Sequence, residues 1–178
     1  MEEIRRAIET ASGKLAEHPE MAVGTDSAAT AVHDKGLRFR VDGPNGAITT
    51  DMSESVGGGA SAPTPGWLMR AALAACDATT VAMEAARGGI VLSELSVSVE
   101  SDTDFRGVLG VDGGGHPGPI EVRTRIELAA PDATEEQLRE VVRRAEERSP
   151  VRDALAREVS MNSEVVIGEG SAEPASTS

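Results

Sequence analysis

Apolar residues recur at helical spacing at the start of the chain: Ile4, Ala7, Ile8, Ala11 and Leu15 share one face across 3–17, and Glu and Arg fill the other. His18-Pro19 ends that helix. The period then changes to two. Segments 28–33 and 36–42 read as strands joined by the turn Asp34-Lys35-Gly36, and in the second Leu37, Phe39 and Val41 alternate with Arg38, Arg40 and Asp42. Gly43-Pro44-Asn45-Gly46 turns the chain into a short strand at 47–51, which completes an antiparallel meander.

Residues 52–64 form a Gly/Ser-rich loop around Gly57-Gly58-Gly59. Thr64-Pro65 then offers an N-cap followed by proline at the first helical position, and the expected helix runs to Arg87, where Gly88-Gly89 stops it. It would be about 34 Å long. Apolar residues cover most of its circumference, which places it centrally, and its many alanines suit close approach by another backbone. Leu95–Val99 and Ile120–Leu128 alternate as half-buried strands, with a glycine-rich connection, 107–119, between them. Thr134 and Gln137 make a capping box for a helix to about residue 147. Ser149-Pro150 opens a short helix through about Arg157, 159–167 reads as a closing strand, and 168–178 as a disordered tail. Strands and helices fall in blocks, not in βαβ units, so the expected class is α+β with antiparallel sheet. The expected organisation is an N-terminal helix and linker (1–27), one domain (28–167) and a tail.

Composition narrows the function. The 178 residues carry a net charge of −13, which opposes nucleic acid and anionic membranes as partners. With one Trp, two Phe and no Tyr, base-stacking platforms are scarce. The least charged stretch, Ser55 to Met69, is interrupted by Gly and Pro, which excludes a membrane span there. His18, His33 and His116 are scattered, and Asp102 with Asp104 lacks a ligand spacing, so neither metal nor cofactor is expected. Gly57–Gly59 lacks the Gly-Lys-Ser/Thr ending of a phosphate loop. Met1-Glu2-Glu3-Ile4-Arg5-Arg6 has no apolar run after its charges, and with a lone cysteine the expected location is a reducing cytoplasm.

That cysteine, Cys76, follows the run Ala71-Ala72-Leu73-Ala74-Ala75 about three turns into the expected helix. The helix dipole has faded there, and the same-face neighbours Ala72, Leu73, Thr79 and Thr80 carry no cation to stabilise a thiolate. On local sequence alone, a buried structural cysteine and a nucleophile are both open.

The segment Pro65-Gly66-Trp67-Leu68-Met69-Arg70-Ala71-Ala72-Leu73-Ala74-Ala75-Cys76 resembles the proline-led helix of the OsmC/Ohr family, osmotically induced and organic hydroperoxide resistance proteins, in which the peroxidatic cysteine follows an alanine-rich run. Asn45-Gly46, Gly57-Gly58-Gly59, Pro131 with Ala133, the helix 134–147, Ser149-Pro150-Val151 and the closing strand follow the family's order across 28–167. The resemblance implies an intertwined homodimer with its sites at the subunit interface, and Cys76 as nucleophile beside an arginine from the N-terminal strands, Arg38 or Arg40. It also exposes two departures. Where family members carry a resolving cysteine before proline this chain has Ser149, and where they carry a glutamate after the helix-opening proline it has Gly66. Ser149 reads simply as an N-cap, and Arg38 and Arg40 also fit a solvated strand face. Two expectations follow. One is a one-cysteine (organic hydro)peroxide reductase, linked to oxidative stress and recycled by an external thiol or dithiol. The other is a non-catalytic relative that binds a small apolar or acyl ligand at the dimer interface.

Overall fold

The computed structural model describes residues 1–168 and is α+β. Helix α1 (Glu2–Glu17) leads through a single 3-10 turn to strands β1 (Thr30–Lys35), β2 (Arg38–Gly43) and β3 (Gly46–Thr50), an antiparallel meander in the order β1-β2-β3. Helix α2 (Pro65–Arg87) follows, then β4 (Glu94–Thr103), the short helix α3 (Phe105–Leu109), β5 (Pro119–Ala129), α4 (Glu135–Glu147) and α5 (Pro150–Ala156). Strands β4 and β5 form a separate two-stranded antiparallel sheet.

Local chemistry sets the helix bounds. Thr64 Oγ1 accepts from Trp67 N at 3.2 Å with Pro65 at the first position, so α2 starts where the sequence places it. Thr134 and Gln137 close the capping box of α4 reciprocally, through Thr134 N to Gln137 Oε1 at 2.8 Å and Gln137 N to Thr134 Oγ1 at 3.2 Å.

The core lies between α2 and α4. Val81, Ala85, Val141 and Ala145 are buried together, with Ile90, Leu92, Leu95, Ile126, Leu128 and Met1 packed against them. Small residues at this crossing let the helices approach closely, while the half-buried face of the β4–β5 sheet supplies bulk. Leu95 pairs Leu128 and Val97 pairs Ile126 across that sheet, and their neighbours Ser96 and Glu127 point to solvent. Burial on α2 follows one stripe, Leu73, Asp77, Thr80, Val81, Glu84 and Ala85, and the alanine-rich face with Ala72 and Ala75 stays open.

The meander stands apart from this body and packs extensively on none of its elements. Val32 and Ile48 are accordingly about half exposed. The link is residues 51–64, organised by Asp51, whose buried carboxylate accepts from the N–H groups of Met52, Gly59 and Ser61 and from Ser61 Oγ at 2.7 Å.

Two expectations change. Residues 159–167 form no strand: Val165, Val166 and Ile167 are about 80–90% exposed. A strand must pair its backbone N–H and C=O groups with a neighbour, and both sheets in this chain end without engaging the segment. The stretch between β4 and β5, in turn, opens with α3, which overlaps the expected glycine-rich connection at 107–109. Asp104 accepts from Arg106 N to cap it, and Gly107 lets it rest on the following loop, where a Cβ would fall 2.6 Å from Gly115 O. The expected disordered tail beyond Gly168 lies outside the described residues.

Candidate functional site

Cys76 is partly buried on the middle of α2, where its Sγ lies 3.3 Å from Ser149 Oγ. Ser149 is 1% exposed and caps α5, its Oγ accepting from Arg152 N at 3.4 Å. Ser149, which the resemblance sets where family members carry a second cysteine, is thus in contact with Cys76. A cleft of about 580 Å³ opens beside the sulfur, lined on its apolar side by Ala75, Met83 and Pro150 and on its charged side by Glu84, Arg87 and Arg148.

Beneath Cys76 lies a polar layer. Asp77, next in sequence, is 1% exposed and is bound by the Arg152 guanidinium through both Nε and Nη2; Arg152 Nη2 also donates to Thr124 Oγ1 at 3.1 Å and lies 3.4 Å from Glu146. Two turns on, buried Glu84 takes Arg148 on Oε2 and Arg87 on Oε1. Such carboxylates are tolerated inside because each is paired and hydrogen-bonded. Asp77 and Arg152 escaped the sequence reading, although a carboxylate on the helix face that also carries Leu73 and Val81 signals the need for a buried cation.

Arg38 and Arg40 are both on β2, outside this cluster. Arg38 Nη1 donates to Ser61 Oγ at 2.9 Å and its Nε lies 2.9 Å from Asp34; Arg40 pairs with Asp42 at 2.6 Å. Within one chain neither is bonded to the Cys76 sulfur. Arg38 is joined to Asp51 through Ser61, and the Ser61 hydroxyl, helped by the Ser61, Gly59 and Met52 N–H groups, holds the Asp51 carboxyl down at about 2. Gly66 sits exposed in the first turn of α2, and the nearest atom a Cβ there would meet is Thr64 Oγ1 at 3.9 Å, so a longer side chain would fit. Among the described residues no three His, Cys, Asp or Glu side chains are grouped to hold a metal ion, and no helix is long and apolar enough to cross a membrane.

A long helix buried along one stripe and carrying a mid-helix thiol, with a meander before it and a strand pair and two helices after it, defines a fold class. Residues 57–164 match the family model described as OsmC-like protein, and the chain belongs to that family. The OsmC-like protein of Mycoplasma pneumoniae superimposes with a TM-score of 0.64 at 20% identity, covering 75% of this chain and 89% of that one. An organic hydroperoxide resistance protein OsmC from Legionella pneumophila gives 0.55 at 19% identity, covering 75% and 90%. One from Elizabethkingia anophelis, an organic hydroperoxide resistance protein with thiocyanate bound, gives 0.54 at 16%, covering 74% and 89%. At these identities the likeness is one of fold. No curated protein matches the chain.

Proposed function

We propose that this chain is a one-cysteine OsmC-like thiol peroxidase that reduces organic hydroperoxides in a reducing compartment. The observation that carries the reading is a partly exposed thiol at the wall of a largely apolar cleft; the resemblance of 65–76 to the family's cysteine-bearing helix supports it. The Cys76 thiolate attacks the outer oxygen of ROOH; the S–O bond forms as the O–O bond breaks, giving a sulfenic acid and an alkoxide that takes a proton from water. One external thiol condenses with the sulfenic acid to a mixed disulfide and water, and a second releases Cys76 as the thiol. With no second cysteine in the sequence, this reductant must come from outside the chain.

The working unit under this reading is a homodimer. The meander with its exposed Val32 and Ile48, and the unpaired segment 159–167, are the surfaces a second copy would cover. A meander laid over the partner's α2 would bring Arg38 or Arg40 toward the other Cys76. Light scattering should give twice the chain mass, and a monomer at micromolar concentration would remove this arrangement.

A second reading, a non-catalytic protein holding a small apolar or acyl ligand, draws on the same cleft and on the absence of a carboxylate at Gly66. Intact mass after brief exposure to sub-stoichiometric cumene hydroperoxide, with dimedone as trap, separates the two. The peroxidase gives one adduct per chain, lost in Cys76→Ser; an unmodified wild type leaves the binding reading.

A further inference from the structure

Ser149 does more than cap α5. Its Oγ already accepts the Arg152 N–H, and its own proton remains to be donated; the Cys76 sulfur, 3.3 Å away, stands in the donating direction. Among the described residues no other side chain is hydrogen-bonded to that sulfur. We infer that Ser149 is a catalytic hydrogen-bond donor to the Cys76 thiolate, and that the Asp77–Arg152 ion pair positions it.

The inference rests on the one-cysteine peroxidase reading for its function, but its geometry stands without it. The thiolate is the attacking species, and an O–H donor to a charged acceptor favours the charged form over the neutral thiol. The other charges facing the sulfur cancel locally. On α2 these are Asp77, taken by Arg152 of α5, and Glu84, shared by Arg87 of α2 and Arg148 at the end of α4; Glu146 of α4 lies against Arg152. With those cations committed to carboxylates, a neutral hydroxyl remains as the group that responds to charge on sulfur. Arg152 links the two roles. Its backbone N–H fixes Ser149 Oγ, while its guanidinium is anchored on Asp77, the residue next to Cys76. A stabilised thiolate is also a somewhat weaker nucleophile, so the net gain is greatest at pH values where the thiol form would otherwise dominate.

The test is the rate of alkylation by iodoacetamide between about pH 5 and 10, for the wild type, Ser149→Ala and Ser149→Gly, since a lone thiol's profile follows its ionisation. Loss of one charge-assisted hydrogen bond should make alkylation of Ser149→Ala at pH 7 roughly threefold slower, a loss of thiolate partly offset by its higher intrinsic reactivity. Ser149→Gly caps a helix nearly as well as serine but offers no proton, and should be slowed as much as Ser149→Ala. If α5 capping were the sole role of Ser149, the Gly variant would follow the wild type. That outcome, or an Ala profile superimposed on the wild type, overturns the inference. No peroxide enters this experiment, so failure of the peroxidase reading would show separately, as absence of the dimedone adduct with the alkylation shifts intact.

Discussion

Replacing Ser149 by cysteine should turn this single-thiol chain into one that closes a disulfide across its centre. The native Oγ already stands 3.3 Å from Cys76 Sγ, and a C–S bond is longer than a C–O bond, so the new sulfur needs to move about 1 Å to reach the roughly 2.05 Å of a disulfide. The two positions are 73 residues apart in sequence, and closing a loop of that size should lower the entropy of the unfolded chain by the equivalent of about 4 kcal/mol, less any strain in the buried site. Urea denaturation of Ser149→Cys, oxidised against reduced, should show a gain of about 2–4 kcal/mol, with no such difference for the wild type. Under sub-stoichiometric peroxide the variant should give an intrachain disulfide in place of a dimedone adduct, read as a loss of two hydrogens in intact mass. Two free thiols after mild oxidation, or a disulfide formed only between chains, would refute the placement of Ser149 against Cys76.

Two further outcomes probe the layer beneath. Arg152→Ala strips the cation from a carboxylate that is 1% exposed; because the arginine is itself about a quarter exposed, the expected cost is about 2–4 kcal/mol in urea, and Asp77→Ala added to it should cost little more, since the damage is already done. Asp51, held down at about 2 by the Ser61 hydroxyl and neighbouring N–H groups, binds its proton more readily unfolded than folded. Its contribution is therefore complete above about pH 4 and lost as pH falls toward 2, so the stability gap between wild type and Asp51→Asn should narrow across that window and stay flat above it. A gap that does not change between pH 4 and 2 would show that Asp51 is not the titrating group.

The helices were legible because their signals are local. Thr64-Pro65, the Thr134/Gln137 box and Ser149-Pro150 each satisfy backbone donors within a turn of themselves, and each opens a helix where the sequence places it. What failed were features decided by distant partners. The alternation in 159–167 is a strand pattern, but a strand exists only beside another, and this chain supplies none there. Helix α3 hid behind Gly107, a residue type that normally weakens a helix and here permits contact with the loop at Gly115. Cys76 was visible as the lone thiol, set in the middle of α2. Its surroundings were not, because Arg152 reaches Asp77 across 75 residues, and Ser149 offers the same two letters, Ser-Pro, whether it merely caps a helix or also donates to sulfur.

The bonds converging on Asp51 have a consequence for assembly. Because Met52, Gly59 and Ser61 all donate to one carboxylate, and Ser61 in turn receives Arg38, the connection between the meander and α2 behaves as a set joint, and the meander is an arm already held at its angle. An arm arrested before it meets a neighbour has little freedom left to surrender on docking, so more of the contact energy survives as affinity. In the proposed homodimer, loosening that joint should tell first on how tightly the two chains hold each other, and only afterwards on whether either one folds.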